Sequence, residues 1–318
     1  MSITHTIATS ASRRVTVDAE DGVALSIREY GPRHAALTVV LLHGHCSRTE
    51  SWSYVRDALR RRYPEARVIC YDHRGHGDSA TAPRHTYTLE QLGRDLHDVL
   101  DVVAPTGPVI LVGHSMGGMT ALTYVDLYPH EIGTRIVGVG LVATAASGLA
   151  ETGFGRLLRN PAIAAFRTAV RWAPALMQNA KHLARKLFTP IVRNAERGDR
   201  TVGPRILALA NAIHNQTSIV TMAAFLAAFT TYNRTAALPL LSAIPTLILC
   251  GSADLMTPPS HSVAMASAIN YADLVLIDGA GHSVILEEPD RVADAVTRLV
   301  GRAYEMGQTT HRGLVAVA

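Results

Sequence analysis

Cysteine is scarce in this chain of 318 residues, which contains only Cys46, Cys70 and Cys250. An odd and scattered set of three cysteines does not provide the disulfide framework of a small secreted protein. Two of the three, Cys70 and Cys250, end apolar runs that are typical of buried strands. We therefore expect reduced thiols in a cytoplasmic protein.

Long apolar segments are also missing. The first 14 residues are polar and contain no apolar stretch of signal-peptide length. The best candidate for a membrane span, residues 219–230, contains threonines and is shorter than the roughly 20 apolar residues that a span requires. The expectation is a protein that neither spans a membrane nor carries a cleaved signal.

Basic and acidic residues are nearly balanced. The chain has 30 Lys and Arg and 26 Asp and Glu, which give a formal net charge of +4. Nucleic-acid-binding proteins concentrate basic residues on a stripe of a recognisable module, and no such module is visible. The sequence thus predicts no nucleic-acid partner. A hydrophobic content of 48% is ample for a buried core.

Apolar runs that predict buried strands alternate with segments of helical periodicity. The predicted strands are 37–42, 67–71, 109–112, 136–142, 246–250 and 274–277, and the clearest helices are 51–62, 89–103, 117–127 and 289–304. This alternation predicts an α/β fold built on a doubly wound, mostly parallel sheet. Before it, residues 15–30 alternate around Asp21-Gly22, which predicts a β-hairpin.

One long segment, residues 147–238, interrupts the alternation because it contains no strand pattern. It is predicted to be a helical cap inserted into a core of residues 15–146 and 239–304, with loose tails at 1–14 and 305–318. Active sites in sheets of this type lie at the carboxyl ends of the strands. The expected position of the site is therefore the strand ends beneath the cap.

Residues 113–117 read Gly-His-Ser-Met-Gly between a predicted strand and a predicted helix. A serine on such a sharp strand-to-helix turn is held in a strained backbone conformation, and side chains two residues before and after it would collide with neighbouring elements. The N-terminus of the following helix favours a developing negative charge. The motif predicts Ser115 as a nucleophile.

With GHSMGG at 113–118 and YDHRGHGDS at 71–79, the chain resembles the α/β-hydrolase superfamily, especially its esterase, lipase and cofactor-free peroxidase branch. The resemblance extends over roughly residues 15–300 and is weakest in the cap. It implies the chain order serine, acid, histidine for the catalytic residues.

That order directs the search for the base and the acid. His282 follows the last predicted strand in a glycine-rich loop and is assigned as the base, in preference to His261, which begins a helix. The acid is assigned to Asp254, in a Gly-x-x-Asp-x-x-x-Pro pattern after the preceding strand. Asp273 and Asp278 are the alternatives.

The resemblance implies an oxyanion hole made of the backbone N–H groups of Met116 and His45. The loop that carries His45 departs from the common family form, which has a glycine at the position of Ser47. Residues 72–79, which could instead take part directly in catalysis, are interpreted as a tight turn with buried polar contacts. The histidines of these two loops lack a closing set of ligands for a metal, so no metal and no cofactor are predicted.

Several side chains are weaker candidates for contact with a substrate: His114, Trp172, Phe225 and Phe229. The last three belong to the cap, and aromatic side chains there predict an apolar pocket. Residues 151–235 also hold 12 Lys and Arg against 3 Asp and Glu. A solvated basic helix face is the simplest interpretation of this excess, and reversible contact with anionic lipid surfaces is the sharper hypothesis.

Together these patterns predict a serine hydrolase that cleaves an apolar, small-molecule carboxylic ester through an acyl-enzyme. Lipid esters, thioesters and carbon–carbon bonds are alternative substrates for the same serine machinery, and a cofactor-free peroxidase activity is a further alternative. Epoxide hydrolases and dehalogenases need a carboxylate nucleophile and do not fit Ser115. A non-catalytic binding protein is the rival class, and the oligomeric state has no signal in the sequence.

Overall fold

The structure is a computed structural model that describes residues 12–181 and 217–315, with side chains described up to residue 306. It contains one sheet of eight strands in the order β1-β2-β4-β3-β5-β6-β7-β8. The strands are β1 Arg13–Asp18, β2 Ala24–Tyr30, β3 Thr38–Leu42, β4 Arg67–Tyr71, β5 Val109–His114, β6 Ile136–Val142, β7 Thr246–Gly251 and β8 Asp273–Ile277. From β4 to β8 in this order all neighbours are parallel, whereas β1, β2 and β4 pair antiparallel. The predicted fold class is confirmed.

Helices cover both faces of the sheet. They are α1 Ser53–Arg62, α2 Leu89–Val103, α3 Met116–Leu127, α4 Pro161–Trp172, α5 Ile219–Thr231, α6 Pro259–Ala268, α7 Val284–Glu287 and α8 Pro289–Val315, with a further helical segment at 174–181. Side chains of α2, α3 and α6 pack into the apolar core on one face, and those of α1 and α8 pack into the core on the other. The central strands β3 to β6 are apolar and almost wholly buried because helices cover both of their faces.

The two chain connections between the cap and the core lie side by side. Ser147 forms an isolated antiparallel bridge with Asn233, and the N–H of Arg234 donates to the carbonyl of Ala146 at 2.7 Å. The described part of the cap is helical, with no strand in residues 147–181 and 217–238. The rest of the predicted cap, residues 182–216, lies outside the described residues.

Two predicted boundaries were wrong. The hairpin predicted at Asp21-Gly22 is present, with Gly22 at φ +79°, but its first strand begins at Arg13 rather than after a tail of 14 residues. The last helix continues to Val315, although residues from 305 onward were expected to form a loose tail. No proline follows Pro289, and the glycines in this stretch each cost a helix only about 1 kcal/mol, so nothing in the sequence ends the helix early.

Of the helices described, none has both the length and the apolar composition to cross a membrane.

Candidate active site

Ser115 occupies the turn between β5 and α3 with φ 54° and ψ −120°, a conformation that non-glycine residues rarely adopt. Hydrogen bonds hold it there, because its N–H donates to the carbonyl of Val142 at 2.9 Å and its carbonyl accepts from Thr144 Oγ1 at 2.8 Å. Such strain persists only where the surroundings determine it, and it is concentrated at functional sites.

The two glycines of the motif are required by close packing. A Cβ on Gly113 would lie 2.3 Å from the backbone of Gly117, and a Cβ on Gly117 would lie 2.3 Å from the carbonyl oxygen of Leu42. Both contacts are with backbone, which cannot move aside cheaply. The structure therefore shows directly why the serine turn needs glycine at these two positions.

The structure brings together the three residues assigned as nucleophile, base and acid. Ser115 Oγ lies 3.0 Å from His282 Nε2, and His282 Nδ1 lies 2.9 Å from Asp254 Oδ2. His282 is in the loop that follows β8, and Asp254 is in the loop that follows β7. All three sit at the carboxyl ends of parallel strands, where the topology places an active site.

Asp254 is almost completely buried and receives three further hydrogen bonds. The N–H groups of Met256 and Thr257 donate to its Oδ1 at 2.8 and 2.9 Å, and Thr257 Oγ1 donates to its Oδ2 at 2.7 Å. Burial acts to raise the pKa of Asp254, but the charge of His282 and these hydrogen bonds outweigh it and leave the pKa lowered. The acid therefore stays ionised beside the imidazole.

Thr257 is a residue that the sequence analysis did not find. It is buried, its Oγ1 also lies 3.3 Å from His282 Nδ1, and it lines the same cavity as Ser115. The local signal was available in the sequence, since a carboxylate followed two and three residues later by amide donors is typical of an Asx turn. The hydroxyl at the third position then reaches the second carboxylate oxygen.

The loop after β3 forms a tight turn around His45. The carbonyl of Gly44 accepts from the N–H of Ser47 at 3.2 Å and from Nδ1–H of His43 at 2.7 Å. This carbonyl shares a trans peptide with the N–H of His45, so the N–H points the opposite way. The positive φ of the turn falls on Cys46, at 55°, and this explains why Ser47 is tolerated where glycine is common in the family.

Two buried imidazoles, those of His43 and His76, brace this loop. His76 Nε2 accepts from the N–H of Cys46 at 3.2 Å, and its Nδ1–H donates to the carbonyl of Arg74 at 3.0 Å. His43 Nε2 accepts from the N–H of His73 at 3.0 Å. Each hydrogen bond to an unprotonated nitrogen requires a neutral ring. Burial accordingly lowers the pKa of His43 to about 4 and that of His76 to about 3.

The segment 72–79 is a scaffold of hydrogen bonds, which agrees with its interpretation as a turn. Asp72 accepts from the N–H groups of Thr49 and Asp78, at 2.8 and 2.9 Å. Arg74 is fully buried and forms ion pairs with Asp21 and Asp95. Among the described residues no cluster of His, Cys, Asp and Glu has the arrangement of a metal site.

The alternative residues lie away from Ser115 Oγ. His261 shares a 2.6 Å hydrogen bond between its Nε2 and Thr152 Oγ1, at the base of the cap. Asp278 accepts from Ser252 Oγ at 3.3 Å, and Asp273 lies 4.0 Å from a guanidinium nitrogen of Arg302. None of these contacts involves Ser115 or His282.

A cavity of about 220 Å³ opens onto Ser115 and His282. Its wall is mostly apolar and includes side chains from the cap, namely Leu149, Phe154, Leu158, Leu226 and Phe229. A larger groove of about 580 Å³ lies on the other side of α5 and contacts neither Ser115 nor His282. The smaller cavity is the relevant one because it contains the nucleophile.

The four weaker candidates for substrate contact fall in different places. His114 and Phe229 line the cavity, and His114 Nε2–H also donates to the carbonyl of His282 at 2.8 Å. Phe225 is fully buried behind the cavity, with its ring 5.7 Å from that of His45.

The assignment of Trp172 to the pocket was wrong, since its side chain is 78% exposed and does not line the cavity. It follows Val170, the buried residue of α4, by two positions. Two positions turn a helix by about 200°, so Trp172 points away from the packed face. Aromatic composition alone could not separate the two sides of a cap helix.

Comparison with known proteins identifies the fold family. A family model described as the alpha/beta hydrolase fold matches residues 38–289, so the chain belongs to the α/β-hydrolase fold family. A solved structure of a thermophilic esterase from Thermogutta terrifontis is similar, with 26% identity and a TM-score of 0.73 over 92% of this chain and 99% of the esterase.

Curated relatives act on different bonds. An sn-1-specific diacylglycerol lipase of Mus musculus is 27% identical over 81% of this chain and 79% of the lipase. The proline iminopeptidase PfmaB of Pestalotiopsis fici is 27% identical over 87% of this chain and 95% of the peptidase. The chain spans only 43% and 60% of the length of two other curated relatives. Family membership thus supports hydrolase chemistry and leaves the scissile bond open.

Proposed function

We propose that this protein is a serine hydrolase that cleaves carboxylic esters through an acyl-enzyme on Ser115. The observation that carries the proposal is the continuous chain of contacts from Ser115 Oγ through His282 to the buried, ionised Asp254. A serine hydroxyl becomes a good nucleophile only when an adjacent base accepts its proton, and this arrangement supplies the base and its orienting acid.

In the proposed reaction Ser115 Oγ attacks the ester carbonyl carbon while His282 Nε2 takes the hydroxyl proton. The tetrahedral oxyanion is held by the N–H groups of His45 and Met116. His282 then passes the proton to the leaving alkoxide as the carbon–oxygen bond breaks. A water molecule, deprotonated by His282, attacks the acyl-enzyme, and the proton returns to Ser115 Oγ as the acid leaves.

The hydrogen bonds around the Gly44–His45 peptide favour this role for His45. His43 and Ser47 both donate to the Gly44 carbonyl, so the opposite N–H is held in one direction before the substrate binds. Met116 is the first residue of α3, where backbone N–H groups lack partners within the helix and the dipole favours negative charge. A preorganised pair of donors of this kind is worth about 10²- to 10³-fold in kcat per donor.

Cavity size supports a small ester as the substrate. The volume of about 220 Å³ is smaller than the roughly 300–1,000 Å³ that is usual for pockets binding drug-sized ligands. The apolar wall favours an aliphatic or aromatic acyl group, and a long lipid chain would not fit without movement of the cap.

The test is hydrolysis of nitrophenyl esters with acyl chains from two to sixteen carbons, with Ser115→Ala as the matched control. We expect activity that the variant loses by at least about 10³-fold and an optimum below about eight carbons. Labelling by a fluorophosphonate probe reports the nucleophile independently of substrate choice. Labelling without ester hydrolysis would redirect the proposal to thioesters or carbon–carbon bonds, and absence of both would favour a binding protein.

A further inference from the structure

Positive charge is segregated along this chain. Residues 151–235 contain 12 Lys and Arg against 3 Asp and Glu, which leaves 18 Lys and Arg against 23 Asp and Glu in the rest of the chain. The modest total of +4 therefore combines a strongly basic cap segment with a mildly acidic remainder. An asymmetry of this kind orients a protein toward an anionic partner.

Four exposed arginines of the cap are not neutralised by carboxylates, in contrast to Arg234 at its base, which pairs with Glu90 and Asp126. Among the described residues no ion pair joins Arg156, Arg159, Arg167 or Arg171 to an acidic side chain, although arginines of the core such as Arg74 and Arg135 form such pairs. Arg156 donates to a backbone carbonyl, and the guanidinium of Arg171 lies 6.0 Å from the ring of Trp172. These cations remain available to an external anion.

Large apolar side chains are exposed in the same stretch. Trp172 is 78% exposed, Leu176 is 68% exposed and Leu157 is 52% exposed. Trp172 faces away from Val170, the residue of α4 that packs on the rest of the cap. A solvent-facing tryptophan among unpaired arginines is typical of protein surfaces that enter the interface of a bilayer, where the ring sits at the level of the lipid headgroups.

The exposed stretch includes residues that border the catalytic cavity. Phe154 is 38% exposed and also lines the cavity, as does Leu158, and Leu157 lies between them in the chain. A partner that covers Leu157 would therefore lie close to residues of the cavity wall. An apolar ester dissolved in that partner would have a short path to Ser115.

We propose that six exposed residues of the cap, Leu157, Arg159, Arg167, Arg171, Trp172 and Leu176, here called the cap surface, dock reversibly on anionic lipid bilayers. The arginines contact lipid phosphates, and the tryptophan and leucines enter the headgroup region. Charge complementarity selects an anionic bilayer, and the inserted apolar side chains distinguish docking from simple attraction of a basic protein. The inference goes beyond the proposed function because docking does not require turnover.

Tryptophan fluorescence tests the proposal directly. The chain has two tryptophans, of which Trp52 is fully buried and Trp172 is 78% exposed. Addition of phosphatidylcholine vesicles containing phosphatidylglycerol should shift the emission to shorter wavelength and protect Trp172 from acrylamide. Vesicles of phosphatidylcholine alone should leave both signals unchanged, and 1 M salt should reverse the effect because it screens charge. An unchanged emission with anionic vesicles overturns the proposal.

Co-sedimentation with the same vesicles locates the surface. Because each basic side chain near an anionic membrane strengthens binding by about fivefold, Arg167→Glu with Arg171→Glu should weaken binding by at least about tenfold. The matched control is Arg291→Glu with Arg298→Glu, which reverses two exposed charges on α8 and should have little effect. Trp172→Ala should also weaken binding, whereas Tyr271→Ala, at a site 94% exposed, should not.

Each remaining outcome is decisive. Equal losses in the cap and control variants, or equal binding to neutral vesicles, would contradict the proposed surface. A blue shift that depends on protein concentration in the absence of vesicles would show instead that the cap surface joins two copies of the chain. Hydrolysis of a water-soluble ester by the variants reports the proposed function separately, so loss of docking and loss of catalysis can be told apart.

Discussion

Helices α3 and α4 have the same length but differ sharply in how much of each is buried. Of the twelve residues of α3, ten are buried beneath the catalytic loops, whereas α4 in the cap buries only Val170. A residue of α3 is therefore fixed by packing on nearly every side, and most of α4 is free to vary without disturbing a core. Packing therefore constrains the helix beneath the serine turn far more tightly than the outer helix of the cap.

The largest expected effect is the loss of kcat when the charge of Asp254 is removed. Asp254→Asn keeps the size of the side chain but removes the charge that orients His282, so kcat for a nitrophenyl ester should fall by about 10⁴-fold. The circular dichroism spectrum and Tm should remain close to those of the unsubstituted protein. A fall in kcat of less than tenfold would mean that Asp254 is not the orienting acid.

The sheet and its catalytic loops were predictable because each left a local pattern in the sequence. The strands beneath the site are continuous apolar runs, and Ser115 has glycines at fixed spacing that the backbone contacts now explain. Asp254 and His282 were assigned from the order of catalytic residues that the family resemblance implies, together with their positions after strands. Thr257 was missed because its role depends on a contact within the Asx turn that begins at Asp254, a local signal that the strand and helix periodicities do not record.

The cap was less predictable for a related reason. Phe229 and Trp172 are both aromatic residues of cap helices, and composition gives them the same meaning. Only packing shows that Phe229 faces the cavity while Trp172 faces outward. A helix that buries one residue, such as α4, also has few tertiary contacts that fix which of its sides faces the core. Its sequence pattern is therefore a weak guide to that side.

Acid pH should lower the free energy of unfolding because the imidazole of His43 is buried in its neutral form beside the catalytic loops. His43 has a pKa of about 4 in the folded chain and an ordinary value of 6.5 when unfolded. The unfolded chain therefore binds more protons between these values, and the free energy of unfolding should fall as the pH decreases from 6.5 to 4, by about 3 kcal/mol from this group. Urea unfolding at several pH values measures the slope.

The control for this slope is a pair of substitutions. His43→Asn retains a donor for the Gly44 carbonyl but has no titrating ring, so its unfolding free energy should depend less on pH in this window. His85→Asn, at an exposed position, should leave the slope unchanged. If both variants follow the unsubstituted protein, the buried ring of His43 is not a source of acid sensitivity.

A smaller effect is expected at Thr257, whose hydroxyl donates to the carboxylate of Asp254. Thr257→Val keeps the shape but removes the hydroxyl that donates to Asp254 Oδ2, and loss of one such bond to a charged group should lower kcat by about tenfold. The carboxylate then becomes more basic and stabilises the protonated imidazole of His282. The acid limb of the kcat/KM profile should therefore move to higher pH.

Thr257→Ser distinguishes this positioning role from packing. The serine hydroxyl can still donate to Asp254, so most of the activity and the original acid limb should return. A variant that lowers kcat without moving the acid limb would indicate that Thr257 only fills space beside His282.

The smallest effects are expected in the cap, where Phe229 and Trp172 can be compared. Phe229 lines the cavity and its ring lies 5.3 Å from that of His45, so Phe229→Ala should enlarge the pocket and move the chain-length optimum to longer esters. Trp172→Ala should change kcat/KM for a water-soluble ester by less than about twofold, because an exposed side chain away from the cavity contributes little to stability or shape. Chain-length profiles of the two variants measure both effects. Similar profiles would mean that the cap acts on the substrate as one unit, whereas a change at Phe229 alone would assign selectivity to its inner face and leave its outer face for docking.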